Sequence, residues 1–375
     1  MSRRARSGTF IAVSVFLSVA MTLLGLEAVL RFMPVSQGLR GVAVNDGNPV
    51  YRFPPNQTLR WSKGWNFSLV NEIHTNNYGF ISDADYEPAA GTPLLAIIGD
   101  SFVEAAMVSY PHTAAGLLQG SLADKGRVYS FGASGAALSQ YLAYARYVHE
   151  QFKPSGMVIT IVGNDFDESL MKYRNYPGFH YFVETGEGEL QLQRIDRKVA
   201  PWKDVIAGSA VGRYIVMNLQ AGNLVEYVKF YLSSLLGEDP PFNGNVDANV
   251  DMRRMDDSKK AVDAFLDLLP RLASLPPSQI AFVVDAPRPD IYFTTKTHDG
   301  KRSYFQEMRG YFIRNGSIKG FEIIDLEREF AWDYQRRGLR FEYPHDYHWN
   351  ETGHEVVASA IRQSQTFRRT FKEAT

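Results

Sequence analysis

No cysteine occurs anywhere in the 375 residues. That absence excludes structural disulfides, thiolate nucleophiles and cysteine-ligated zinc or iron–sulfur centres. It is compatible with an oxidising compartment without proving one. An excess of charge of one sign is missing as well: 40 basic residues stand against 41 acidic ones, a net charge of -1. Nucleic-acid binding calls for a basic patch or stripe, so this balance gives no electrostatic case for such a partner. Internal repeats and low-complexity segments are lacking too. What remains is an ordinary globular composition, 45% hydrophobic and 22% charged, sufficient for one large α/β domain or two smaller ones.

The N-terminus carries the longest hydrophobic run. Arg3, Arg4 and Arg6 precede an apolar stretch from Phe10 to Leu26, interrupted only by Ser14, Ser18, Thr22 and Gly25. With Ala28, Val29 and Leu30 it approaches the ~20 residues that cross a bilayer as a helix. Glu27 and Arg31 stand i,i+4 and are expected to pair at the far interface, where arginine can also snorkel. The leading arginines favour the cytoplasmic side, which puts everything after Pro34 outside, in the periplasm or the extracellular space. A cleaved signal peptide is the competing reading, but no small-x-small site followed by a polar mature start is evident.

Three segments follow from composition. Residues 1–34 form the cytoplasmic tip and transmembrane signal-anchor. Residues 35–90, polar and rich in Asn and aromatics, read as a stalk and small β decoration: Thr58–Trp61 and Phe67–Val70 as short strands, Asn76–Gly79 as a turn. Residues 91–375 form the main domain. There Leu94–Ile98 is a continuous apolar run, as expected of a strand covered on both faces. Ala114–Ala123 reads as a helix, Arg127–Phe131 as a strand, Ser139–Phe152 as an amphipathic helix stopped by Pro154, and Met157–Val162 as a third strand. An insertion at about 167–278 interrupts the rhythm. It holds a charged aromatic stretch (Tyr173–Lys198), a long amphipathic candidate (Val205–Leu236) whose Arg213, Gln220, Asn223 and Glu226 preclude a simple span, a linker (Gly237–Asp251) and a helix (Asp256–Leu272). Ile280–Val284 and Phe321–Asp325 resume as strands, and Gly353–Gln363 closes as a helix. This alternation predicts a parallel, doubly wound α/β sheet with right-handed crossovers.

In such sheets ligands bind beyond the carboxyl ends of the strands. Gly99-Asp100-Ser101 follows the first main-domain strand, Gly132-Ala133-Ser134-Gly135 the second and Gly163-Asn164-Asp165 the third. His345-Asp346-Tyr347-His348-Trp349-Asn350 precedes the last helix. These clusters supply a hydroxyl, an imidazole, a carboxylate, an amide and backbone N–H groups. Acyl transfer through a covalent intermediate needs that set: a serine made nucleophilic by a base, a group orienting the base, and donors for the oxyanion. Ser101 is the expected nucleophile, His348 the base and Asp346 its orienting partner. Ser101 and Gly135 N–H and the Asn164 amide are the expected oxyanion donors.

In these residues the sequence resembles the SGNH/GDSL hydrolases, whose serine, oxyanion glycine, asparagine and histidine occur in this order, over roughly Pro93–Ile361 less the insertion. Two positions depart from the pattern. Val162 stands where the third block has a glycine, and a single residue, Tyr347, separates Asp346 from His348 where two are common. The Asp-x-His-Trp-Asn version resembles that of membrane-anchored, envelope-facing members. The resemblance implies a three-layer, flavodoxin-like parallel sheet with helices on both faces, and a serine esterase or O-acyltransferase acting on acyl groups, often acetyl, of envelope or exported polysaccharide. No cofactor is expected, and apart from the cluster around His345 and His348 nothing in the sequence suggests a metal. Proteins assembling that polysaccharide would be its partners.

Other readings compete. Ser134 begins something like a G-x-S-x-G elbow, but Ala136 replaces its second glycine. His345 and His348, with His354 or Asp346, make an H-x-x-H cluster that would suit a metal. Asp165, Asp167 and Glu168 read as solvated loop carboxylates rather than a glycosidase pair. A lipase or thioesterase acting on membrane-derived acyl chains, and a catalytically silent carbohydrate-binding scaffold, are the alternative functions.

Overall fold

The computed structural model describes residues 3–88, 91–186, 188–198, 208–219, 254–292, 303–343 and 346–372. They group into two compact units. The first comprises the described residues within 1–39, 59–72 and 200–240; the second comprises those within 40–58, 73–199 and 241–375.

In the first unit, α1 (Arg3–Phe32) contains a stretch, Phe10–Phe32, long and apolar enough to cross a membrane, none of whose residues is fully buried. It is an N-terminal apolar helix of the kind that serves as signal sequence or anchor. β1 (Gln57–Lys63) and β2 (Leu69–Thr75), of which 59–63 and 69–72 belong to this unit, pair as a two-stranded ribbon. β1 contains the four residues expected for it, whereas β2 starts at Leu69 and leaves Phe67 and Ser68 outside the strand.

The second unit contains β3 (Leu94–Gly99), α2 (Ser101–Glu104), α3 (Ala114–Leu122), β4 (Arg127–Gly132), α4 (Leu138–Phe152) and β5 (Gly156–Ile161). The hairpin β6 (His180–Glu184) and β7 (Leu190–Arg194) follows. Then, in the first unit, comes α5 (Ala210–Arg213), which runs into a π-type turn at Tyr214–Asn218. The second unit resumes with α6 (Met255–Ala273), β8 (Ile280–Val284), α7 (Arg288–Tyr292), α8 (Tyr304–Ile318), β9 (Glu322–Asp325), α9 (Leu326–Arg337), β10 (Glu342–Tyr343), β11 (Asp346–Trp349), α10 (Glu351–Gln363) and α11 (Gln365–Phe371).

The central sheet has five parallel strands in the order β4-β3-β5-β8-β9. Counted by chain position this is 2-1-3-4-5, the flavodoxin-like doubly wound arrangement. Every residue of β3, β5 and β8 is buried, which is why these strands read as unbroken apolar runs and not as alternating ones. Alternate residues of β3 serve opposite faces. Leu94, Ala96 and Ile98 pack with α4, α6 and α8, whereas Leu95 and Ile97 pack with α3, α9, α10 and α11. Ile98 stands beside Phe131 of β4 and Ile159 of β5, so the three loops after these strands open at one end of the sheet.

Local chemistry sets the boundaries. Thr113 caps α3 by accepting the Gly116 N–H, and Lys153 ends α4 in the left-handed region just before Pro154. At the Asn76–Gly79 turn Gly79 has φ +80°, and a Cβ there would lie 2.0 Å from the Phe53 carbonyl oxygen. The β6–β7 hairpin, α8 and α9 are elements that the sequence reading leaves unassigned. α8 begins with a capping box in which Ser303 and Gln306 bond reciprocally, but Gly310, Asn315 and Gly316 weaken its helical signature. Of the amphipathic candidate Val205–Leu236 only 208–219 is described, and the linker 237–251 lies outside the described residues.

Candidate active site

β3 is flanked by β4 on one side and β5 on the other, so the chain reverses its winding direction there, and Ser101 follows its carboxyl end. Asp100 caps the short α2 by accepting the Phe102 N–H at 3.0 Å, which turns the chain sharply and presents Ser101 at the first helical position. Ser101 is 8% exposed. Its Oγ lies 2.7 Å from His348 Nε2. The other ring nitrogen, Nδ1, bonds to Asp346 Oδ1, and the same oxygen accepts the His348 backbone N–H at 3.0 Å. Asp346 is 1% exposed. The one-residue spacing between Asp346 and His348 works because β11 is a strand: residues two apart lie on one face, and the carboxylate reaches both ring and backbone.

The support behind this trio escapes sequence reasoning. The fully buried Arg288 donates to the Tyr347 carbonyl at 2.7 Å and forms ion pairs with Asp285 and Glu342. Trp349 Nε1 donates to Asp285 at 3.1 Å. The Phe102 ring packs on both His348 and Trp349, with centroids 4.8 and 4.9 Å apart. Asp285 sits directly after β8, at the end of the sheet where polar residues collect; that position was the available signal. Asn350 caps α10 through the Gly353 N–H and ties β11 to the Glu342 carbonyl.

Gly135 adopts φ +84°, and a Cβ there would lie 2.5 Å from Arg174 Nη2. Both the conformation and the close approach favour glycine. Ser134 beside it donates its N–H and its hydroxyl to Glu104, so its hydroxyl serves a carboxylate and not an imidazole. Burial pushes the Glu104 carboxyl up to about 7, against the Ser134 hydrogen bonds and the nearby His348, which lower it. Asp100 is also pushed up by burial. Asn164 is 9% exposed; its Nδ2 donates to Glu168 at 2.9 Å, its Oδ1 has no hydrogen-bond partner, and Glu168 is ion-paired with Arg174.

The expectation of solvated carboxylates after β5 is corrected here. Asp165 is fully buried, accepting from the Val162 N–H and the Tyr141 hydroxyl, both at 2.7 Å, and burial holds its carboxyl well above the usual range. Asp167 is 2% exposed and bonds Arg254 at 2.8 Å; Glu168 is partly buried among Asn164 and Arg174. The loop turns inward across the strand ends, and its carboxylates satisfy polar groups that water would satisfy in an open loop. Val162, in the place of the expected glycine, is buried and supplies one of those N–H groups.

The histidine cluster separates. His354 lies buried at the start of α10, its Nδ1 accepting the Ala114 N–H at 3.2 Å, and burial depresses its pKa to about 3. His345 lies outside the described residues. Among the described residues no group of three or more His, Asp or Glu is placed to hold a metal ion.

No family model and no curated protein matches the sequence. Solved structures resemble the chain at low identity. A member of the lipolytic protein G-D-S-L family from Veillonella parvula is 10% identical, with TM-score 0.38, over 73% of this chain and 99% of that one. The lipase/acylhydrolase from Enterococcus faecalis is 10% identical, with TM-score 0.36, over 74% and 97%. A psychrotrophic esterase from Pseudoalteromonas sp. is 10% identical, with TM-score 0.34, over 72% and 96%.

Proposed function

We propose that this chain is a serine ester hydrolase or O-acyltransferase, anchored by α1, that works through an acyl-enzyme on Ser101. The observation that carries the reading is the hydrogen-bonded line from Asp346 through His348 to Ser101 Oγ, 2.7 Å from the imidazole. Serine is a weak nucleophile until a bonded base takes its proton. His348 Nε2 takes that proton as Oγ attacks the ester carbonyl, and Asp346 stabilises the imidazolium that results. The Ser101 and Gly135 N–H groups and Asn164 Nδ2 are the donors for the tetrahedral oxyanion. Collapse breaks the C–O bond to the alcohol, which leaves with the His348 proton. Water or a second hydroxyl then attacks the acyl-serine, giving its proton to His348. Collapse breaks the bond between the acyl carbon and Ser101 Oγ, the imidazolium returns the proton to Oγ, and the acid or new ester leaves.

The substrate class, acyl and chiefly acetyl groups on envelope or exported polysaccharide, rests on the resemblance of Asp346–Asn350 to the block of envelope-facing proteins. The site faces the periplasm or the exterior because Arg3, Arg4 and Arg6 hold the N-terminus inside. The test is to treat the full chain in detergent micelles with a p-nitrophenyl ester series and a serine-directed phosphonate. Phosphonate on Ser101 with preference for acetate supports the proposal. Preference for long chains moves the substrate to membrane-derived acyl groups. Absence of labelling and turnover in folded protein leaves a carbohydrate-binding scaffold and refutes the enzyme reading.

A further inference from the structure

The first unit contains a small network that the catalytic chemistry does not use. Glu27, near the outer end of α1, accepts from Ser209 Oγ at 2.9 Å and from the Ala210 and Val211 N–H groups, each at 3.0 Å, while Arg31 donates to it at 2.9 Å. A carboxylate on a spanning helix is costly unless such donors surround it. Asn218 extends the link: its Oδ1 accepts the Ser36 N–H, its Nδ2 donates to Ser62 Oγ at 2.8 Å, and its carbonyl accepts the Gly64 N–H. The Tyr214 hydroxyl donates to the Trp65 carbonyl at 2.7 Å, and its ring packs on Phe67, centroids 5.6 Å apart. The end of the helix, the tip of the β1–β2 ribbon and the turn at 208–219 are thus one bonded assembly.

Its exposed surface carries four large apolar side chains alongside the exposed Asn66 and Ser68. Trp65 is 55% exposed, Val70 50%, Ile215 43% and Val216 60%. Helix length fixes the depth. The 23 residues of Phe10–Phe32 rise about 34 Å at about 1.5 Å each, against a hydrocarbon core of about 30 Å. Glu27 therefore lies within about one turn of the outer boundary, and the residues bonded to its carboxylate lie at the same depth. Trp and Tyr favour that layer, where the ring is buried and the polar edge stays wet.

We infer that the ribbon tip and the 208–219 turn form a collar seated in the outer headgroup layer around the emerging helix, with Trp65, Phe67, Val70, Tyr214, Ile215 and Val216 as its lipid-facing side. The occupant of this surface is the bilayer interface itself, because the surface is continuous with the helix that enters it. The inference rests on α1 being a retained anchor, and the experiment separates the two. The absence of native cysteine lets Val216→Cys carry a single environment-sensitive fluorophore in the full chain, reconstituted into phosphatidylcholine vesicles. Trp65 gives a second signal, as the emission difference between the unmodified chain and Trp65→Phe, which needs no new cysteine. The collar predicts blue-shifted emission from both probes, quenching by lipids brominated near the headgroup, and at least about threefold protection from aqueous iodide. Probes open to iodide overturn it, as do probes shielded from iodide yet untouched by brominated lipid, which would mean a second copy or another protein covers the face. A chain stripped from vesicles by alkaline carbonate refutes the anchor and the collar with it. A chain that resists carbonate but whose probes are not quenched by brominated lipid refutes the collar alone.

Discussion

Asp346→Asn is the substitution that most sharply tests the chemistry proposed for this site. The carboxylate is 1% exposed, and a single oxygen, Oδ1, accepts both the His348 ring N–H and its backbone N–H. An asparagine that keeps its Oδ1 in this place preserves both bonds and the volume, so the change removes mainly the negative charge that stabilises the imidazolium. For unit charges about 4 Å apart at an effective dielectric of about 20, that interaction is about 4 kcal/mol. At about 1.4 kcal/mol per power of ten, kcat should fall about 10³-fold. If the amide instead turns its NH2 toward the ring, the wrong tautomer adds to the loss, toward about 10⁴-fold. KM should change little, since the charge acts on the transition state and not on the bound ester. Steady-state kinetics on p-nitrophenyl acetate read the effect, with thermal unfolding as a control for folding. A variant within threefold of the parent kcat would refute the assignment of Asp346 and require another group to orient His348.

Three further outcomes follow from the same geometry. Glu104 has an ordinary pKa of 4.5 raised to about 7 by burial, so the folded state binds the extra proton and the group costs stability increasingly as pH rises from 4.5 to about 7. Glu104→Gln should therefore leave stability unchanged below pH 4.5 and raise it above pH 7, by on the order of 3 kcal/mol at most, read as a melting-temperature gain that appears only at higher pH; a gain that is the same at all pH values would refute this. Gly135→Ala must hold alanine at φ +84° and displace Arg174 Nη2, so it should lose about 1–2 kcal/mol of stability and at least about tenfold in kcat, read by denaturation and kinetics. Arg288→Met leaves the buried Asp285 and Glu342 carboxylates without their cation, and chemical denaturation should show a loss of about 3–5 kcal/mol.

How much of this was legible in the sequence varied with the range of the forces involved. Leu94–Ile98, Met157–Val162 and Ile280–Val284 announced buried strands because a strand covered on both faces has no polar side to record. The blocks at Ser101, Gly135, Asn164 and Asp346–His348 stood out in the sequence because glycine and polar residues follow or flank apolar runs there; the roles given to them remain those of the proposal. The three carboxylates after β5 were misjudged, because a loop's sequence does not state whether it faces water or folds inward. Arg288 and Glu104 were invisible for a related reason. Each is a charged residue like any surface charge until the fold brings its partners, Tyr347 and Glu342 for one and Ser134 for the other.

The sequence by itself therefore determined the apolar N-terminal helix, the alternation that makes a doubly wound sheet, and the residue types available for acyl transfer, since these follow from hydrophobic period and side-chain chemistry within short windows. Only the tertiary structure decided the 2-1-3-4-5 strand order, the 2.7 Å approach of His348 to a serine 247 positions away, and the burial of Glu104 and Asp165. Those outcomes depend on packing between distant segments, which no local pattern encodes.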